Sequence, residues 1–257
     1  MFVVELDAHG HVVLAKSLGL CGDGIEGLAV ARDRRIAISG TAMGTVVLDR
    51  SGNVILQLAE SGRLAFTSQG ELAIAGIDAN GQPAVMLVDR GGIAIFDQVF
   101  PASVTLTGVA IDATGDIVAV GISEASFDLF GSEVFANYEN QVRISGAFGV
   151  KFDPAGNAVL ATQLFVAFAN DVAIGADGLP YFAATTRGFI GPDVEGSGLL
   201  GRIDNASSVT FFGVGQLFRG GYDALAVDAC GSFVLGGAGF QDPAVPTTNA
   251  LVVKVSL

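Results

Sequence analysis

Apolar residues along this chain come in short runs of four to eight, each closed by Gly or Asp, and the runs recur in a fixed order. One pattern appears as GLAVA at 27–31, RLAFT at 63–67, GVAID at 108–112, DVAIG at 171–175 and ALAVD at 224–228. Each is followed, after a short turn, by RIAISG, ELAIAG, DIVAVG, LPYFAA or SFVLGG. A third element reads FVVELD, TVVLD, VMLVD, GVKFD, GRID and LVVKV, and a fourth reads HVVLAKSL, NVILQL, IAIFDQ, NAVLAT and VTFF. Such runs, rich in Val, Ile, Phe and Ala, predict strands, and nowhere is there the sustained 3.6-residue period of a helix. The repeating unit is therefore four short strands and the class is all-β.

The punctuation agrees. DAHG, DRSG, DRGG and DPAG stand between third and fourth strands, and DATG and DACG between first and second. In such turns the Asp side chain bonds back to the backbone and the Gly takes positive φ without a steric cost. A calcium loop would need six to eight oxygens, and most of these turns offer one carboxylate.

The Ala in each first strand recurs at Ala29, Ala65, Ala110, Ala173 and Ala226, at intervals of 36, 45, 63 and 53 residues. Four-stranded units at this spacing match β-propeller blades. The reading is a five-bladed β-propeller of four-stranded antiparallel blades, one domain spanning 1–257, whose small residues (Gly27, Gly108 and the repeated Ala) let inner strands approach one another. The chain begins with third and fourth strands and finishes with first, second and third ones. The N-terminal strands, 11–18 in particular, are expected to close the last blade, with the third strand present twice, at 2–7 and 251–255.

Composition narrows the class further. Half the residues are hydrophobic (51%) and only 15% are charged, which excludes a disordered chain. The net charge of −13 opposes phosphate backbones and anionic lipid, so no nucleic-acid partner is expected. The longest uncharged stretch is broken by Asn157, Thr162 and Gln163, so no membrane insertion is expected. FVVELD follows Met1 with no basic n-region, which leaves no signal peptide in the sequence as read. Cys21 and Cys230 have neither disulfide-scaffold density nor zinc-site spacing; the topology puts them at opposite ends of the strands, as two free thiols.

With these residues in view, the units resemble the SBBP-type propeller repeats of bacterial cell-surface and secreted proteins. The likeness is carried by GVAIDATGDIVAVGISEASFDLFG (108–131), GAFGVKFDPAGNAVLATQL (146–164) and NDVAIGADGLPYFAATT (170–186). The resemblance implies a propeller outside the cytoplasm, at the cell surface or extracellular, of a kind that can be a module of a larger surface protein, and carries over no catalytic residue, metal or cofactor.

Topology separates two faces. Turns between strands 1 and 2 and between 3 and 4 are tight, whereas loops between strands 2 and 3 reach great length at 122–147, 185–199 and 238–250. Long loops on a rigid scaffold are where function concentrates. The loop face collects carboxylates, including Glu26, Asp193 and Glu195, with the aromatics Phe127, Phe130, Phe135, Tyr138, Phe189 and Phe240. Arg63 and Asp171, each two residues before a marker Ala, are candidates for an axial polar cluster, with Asp112 and Asp228 toward the far end. Candidate ligand-binding residues are thus Arg63, Asp171, Glu26, Phe127, Phe130, Phe135 and Tyr138, as against Phe residues folded back into local cores and Arg63 and Asp171 serving structural pairs. His9 and His11 sit in a tight turn, far from a loop-face nucleophile. The function expected is a non-catalytic binding or scaffolding propeller recognising a protein or glycan; the competing class is a carboxylate-using hydrolase or lyase.

Overall fold

A computed structural model describes residues 2–17, 24–135, 137–139, 142–144, 146–164, 166, 168–185, 198–212, 219–228, 230–242 and 245–255. Every regular element among them is a strand. The fold is an all-β, five-bladed β-propeller, and by contact the chain divides into two compact units, Met1–Val99 and Phe100–Leu257.

The first unit opens with a hairpin, β1 (Phe2–Leu6) and β2 (Val12–Ser17). It continues with one blade of β3 (Ile25–Val30), β4 (Ile36–Gly40), β5 (Gly44–Leu48) and β6 (Val54–Leu58), then another of β7 (Ser61–Phe66), β8 (Leu72–Ile77), β9 (Pro83–Val88) and β10 (Ala94–Val99). Each blade is an antiparallel meander in which sequence neighbours pair. Val3 and Leu14 of the hairpin pack on Ile36, Ile38, Val46 and Leu48, and the other face of the same blade, through Ala37 and Val47, packs on Leu64, Ile74, Ala84 and Met86.

The second unit holds a blade of β11 (Val104–Ile111), β12 (Ile117–Ser123), β17 (Gly146–Phe152) and β18 (Ala158–Gln163). Between its second and third strands stand two small hairpins, β13 (Phe127–Leu129) with β14 (Ser132–Val134), and β15 (Asn137–Glu139) with β16 (Val142–Ile144). The next blade is β19 (Phe168–Ile174), β20 (Pro180–Thr185), β21 (Gly198–Asn205) and β22 (Ser208–Phe212), and the last sheet is β23 (Arg219–Val227), β24 (Phe233–Asp242) and β25 (Val245–Val255). Val120, Leu164, Phe182 and Ile203 make one interblade core, and Tyr181, Leu200, Leu225 and Leu235 the next. β2 is paired to β1, and β25 to β24.

The run types follow from position. The second strand of a blade has a neighbour on each edge and a sheet on each face, so β4 is buried throughout and reads as a continuous apolar run. An outer strand such as β6 is covered on one face, and its side chains alternate between exposed and half-buried for most of its length. Inner strands approach closely at glycine. A Cβ on Gly27 would lie 2.3 Å from the Gly62 carbonyl oxygen, and one on Gly108 2.8 Å from the Val172 nitrogen. The expectation that these small residues admit neighbouring inner strands is met in both units.

Among the described residues, ten five-residue turns share one hydrogen-bond pattern: the first residue's N–H donates to the carbonyl of the fifth, and the fourth residue's N–H donates to the carbonyl of the first. Seven begin with Asp (Asp7, Asp49, Asp78, Asp89, Asp112, Asp153 and Asp228), and in each Oδ1 accepts the N–H groups of the third and fifth residues, as at Asp49 from Ser51 and Asn53, both at 2.8 Å. The fourth residue is Gly with positive φ in nine of them, and the tenth is Ala31-Arg32-Asp33-Arg34-Arg35, where Arg34 holds φ +67. A side chain costs about 1–2 kcal/mol in that conformation.

Two segments expected as open loops are ordered strand structure. In 122–147, β12 is prolonged to Ser123 and the two small hairpins fill most of the remainder. In 238–250, β24 and β25 simply extend their ladder, with Gly239 opposite Asn249 and Phe240 opposite Thr248. β24 carries Ala238 and Gly239 there and β25 carries Pro246, Thr247 and Thr248, small and turn-forming residues that read as loop although the backbone pairs all the same.

Candidate functional site

The inner strands present polar side chains, and the structure shows what each holds. β3, β11, β19 and β23 each carry a bulge shortly before the marker Ala, at Ile25/Gly27, Leu106/Gly108, Ala169/Asp171 and Tyr222/Ala224. A bulge leaves one residue outside the ladder with its side chain re-aimed. That residue is Glu26, Thr107, Asn170 or Asp223. Thr107 Oγ1 donates to the Ala169 carbonyl at 2.6 Å, and Asn170 Nδ2 to the Tyr222 carbonyl at 2.7 Å. Thr107 and Asn170 thereby tie their inner strands to the next.

Arg63 and Asp171 belong to the same system. In the first unit Arg63 Nη1 donates to the Glu26 carbonyl at 2.8 Å, while the Glu26 carboxylate accepts from Thr41 Oγ1 at 2.7 Å. In the second, half-buried Asp171 accepts from the Val172 N–H at 2.9 Å and from the Leu225 N–H at 2.8 Å. Both are latches between neighbouring inner strands of their own unit. Thr107 and Asn170 were not singled out by sequence, because a bulge has no compositional signature, and neither was Ser39 on β4, whose hydroxyl takes the Gly62 N–H at 2.8 Å.

Asp112 and Asp228 stay at the tight turns. The Lys151 ammonium lies 2.7 Å from Asp112 and 2.8 Å from Asp116, and Lys254 pairs with Asp228. Burial works against charge on Asp112, but Lys151, the Thr114 hydroxyl and the turn N–H groups outweigh it and hold its carboxyl below the usual range. His9 and His11 lie exposed in the β1–β2 turn around Asp7.

The aromatics divide. Phe127 packs edge-on against Phe148 with ring centres 5.5 Å apart, and Phe130 edge-on against Phe152 at 5.4 Å and Phe100 at 6.1 Å. Phe148 and Phe152 are fully buried on one face of β17, so the β13–β14 hairpin lies back along that strand as a local core and does not project. Leu129 and Val134 are buried with it, yet Phe130 remains 47% and Phe135 49% exposed. Phe130 holds φ +51, and its tight turn is closed by the Gly131 N–H on Asp128 at 3.0 Å. Tyr138 is in β15, but its side chain lies outside the described residues, as do Cys21, Asp23, Phe189, Asp193 and Glu195. Cys230 is a free, exposed thiol.

One carboxylate not picked out by sequence is Asp97 on β10, whose acidity is weakened first by burial and then by the charges of Asp78 and Glu60. Among the described residues, no group of three His, Cys, Asp or Glu side chains is arranged to hold a metal ion.

No family model and no curated protein sequence matches the chain. Solved structures do. A catalytically inactive histidine-to-alanine variant of virginiamycin B lyase from Staphylococcus aureus, with quinupristin, is similar at a TM-score of 0.59 and 13% identity, over 91% of this chain and 71% of that one. The Pan2 WD40 domain of Neurospora crassa gives 0.58 at 14%, over 91% and 66%, and a gluconolactonase of Xanthomonas campestris 0.51 at 10%, over 83% and 69%. At such identities the likeness establishes the propeller fold alone.

Proposed function

We propose that this chain is a non-catalytic binding propeller that recognises a protein or glycan partner through the β13–β14 hairpin and the elements around it. The fold itself does not choose, since a lyase and a WD40 domain share it. The observation that carries the reading is the preordered hairpin. Phe127 and Phe130 anchor it on buried rings, while Phe130 and Phe135 offer half their surface to solvent. Aromatic anchors on a rigid element bind without the cost of ordering a loop. Tyr138 stands on the next hairpin of the chain, β15–β16. Arg63, Asp171 and Glu26 hold strands in place, and any ligand role they have is through backbone geometry. The SBBP resemblance supports a location outside the cytoplasm.

The alternative, a carboxylate-using hydrolase or lyase, draws its support from Asp97, a carboxyl group that retains its proton more readily than its peers. The two readings separate in one experiment. Phe130→Asn, in which Asn tolerates the left-handed backbone, is combined with Phe135→Ser and compared with the parent on a glycan array and in affinity capture. Loss of specific binding at unchanged melting temperature supports the hairpin; unchanged binding removes it from the site. Hydrolysis of an array glycan abolished by Asp97→Asn favours the enzyme.

A further inference from the structure

The β13–β14 hairpin has an outward face, and its chemistry narrows the partner. The register pairs Phe127 with Val134, Asp128 with Glu133 and Leu129 with Ser132. Alternation therefore sends Phe127, Leu129, Ser132 and Val134 inward and Asp128 and Glu133 outward together. Burial agrees, since Leu129 and Val134 are buried and Asp128 and Glu133 exposed. The hairpin is fastened to the strand beside it: Ser132 Oγ donates to the Ala161 carbonyl and Gln163 Nε2 to the Phe135 carbonyl, both at 3.2 Å.

Two features of this hairpin run against its own stability. Like charges directly opposite one another on antiparallel strands repel, and Asp128 and Glu133 are such a pair. With Glu124 just before it, the segment 124–135 contains three acidic residues and no Lys or Arg. None of the three has an ion-pair partner among the described residues. Lys151, the one basic residue of this blade whose side chain is described, is held by Asp112 and Asp116. The next hairpin adds one residue of each sign, Glu139 and Arg143, with side chains outside the described residues. Over residues 100–257, fifteen Asp and Glu stand against six Lys and Arg, so the long-range field of this unit is negative. The second feature is the turn. Phe130 and Gly131 hold φ at +51 and +85, as in the two-residue mirror-image turn that prefers Asn-Gly. A bulky side chain is out of place there, and strain of this kind is a mark of functional positions.

Along the hairpin the half-exposed rings flank the carboxylates, Phe130 at the tip and Phe135 at the base. A neutral sugar would leave Asp128 and Glu133 opposed, and an acidic glycan or a phosphate would add a like charge. A Lys or Arg side chain answers both parts of the surface. Its cation bonds to carboxylates and is drawn to the face of a Phe ring, and its aliphatic stem covers apolar area.

Resting on the reading of this hairpin as the binding surface, we propose that its partner is a basic protein segment, Lys and Arg interleaved with apolar residues, docked over Asp128, Phe130, Glu133 and Phe135. The test is fluorescence anisotropy of the purified chain with a labelled short peptide of Arg-Leu-Lys repeats. Binding is expected at low salt, to fall steeply toward 1 M salt, where screening acts over about 3 Å, and to weaken about tenfold or more in the Asp128→Asn, Glu133→Gln double variant. An amide oxygen at 128 can still accept the Gly131 N–H, and the opposed charges are gone, so the melting temperature of that variant should be equal or higher. A Gln-Leu-Gln peptide should not bind. Absence of binding, binding untouched by the double variant, or equal binding of the Gln-Leu-Gln peptide would each overturn the proposal. The Phe130→Asn, Phe135→Ser variant separates it from the wider reading. A neutral glycan bound equally by the parent and the carboxylate variant, and lost with the rings, would keep the hairpin as the site and refute the basic segment. Peptide binding unchanged in both variants would refute the hairpin itself.

Discussion

Replacing Lys151 with Met tests whether the charge cluster at the foot of the β11–β18 blade holds the second unit together. The ammonium makes two contacts, 2.7 Å to Asp112 and 2.8 Å to Asp116, with side-chain exposures of 24%, 8% and 20% for the three groups. Exposed ion pairs contribute about 0.2–1 kcal/mol, whereas removing one partner of a fully buried pair costs about 3–5 kcal/mol. This cluster lies between those limits, and the expected loss is about 2 kcal/mol. With a urea slope of about 2 kcal/mol per molar, the unfolding midpoint should fall by about 1 M at neutral pH with its slope unchanged. The pH dependence follows from the two shifts. Asp112 is held below its usual value of 3.8, so its contribution is present above that pH and disappears as pH falls through the lowered value. Burial opposes charge on Lys151, but Asp112 and Asp116 overcome it and raise the ammonium above 10.5, so its contribution is present below that pH and disappears as pH rises through the raised value. The gap between parent and variant should therefore be widest between these limits and close in acid and in strong base. A midpoint change below about 0.3 M at pH 7, where ~2 kcal/mol per molar makes it negligible, would refute the reasoning.

Two further outcomes are expected. Gly108→Ala places a methyl 2.8 Å from the backbone of Val172, which no side-chain rotation relieves, and should cost about 1–3 kcal/mol, read as a lowered melting temperature against Gly24→Ala, whose added methyl meets nothing within 4 Å; equal melting temperatures would show that strand spacing at Gly108 does not matter. Asp171→Ala leaves the Leu225 N–H without its acceptor and should cost about 1–3 kcal/mol in urea unfolding, more than Arg63→Ala, whose latch is solvent-exposed; equal small losses would make Asp171 a surface residue.

The four-strand unit, the turns and the close approach at Gly27 and Gly108 were legible in the sequence because each rests on a local signal: alternation, an Asp-to-Gly spacing, a missing side chain. The latches were not. Thr107 and Asn170 act from bulges, which depend on pairing register between strands and leave no mark in composition. Arg63 and Asp171 stand out in the sequence as scarce inner-strand charges, but the backbone groups they hold belong to strands 37 and 54 positions away. The fate of Phe127 and Phe130 turned on Phe148 and Phe152 lying on the same face of β17, where the hairpin packs over them, a fact about tertiary packing that a loop's own residues do not encode.

The repeated turn also explains how the chain shares the propeller fold with structures only 10–14% identical to it. Each turn closes through its own backbone, and its side-chain requirement is one acceptor at the first position and freedom from a Cβ at the fourth. Even that is negotiable, as Ala31 and Arg34 demonstrate. Selection for the fold therefore touches a small minority of positions, spaced so that no two blades need share any word of sequence. Under so light a constraint, sequences can differ at most positions while the architecture stays the same.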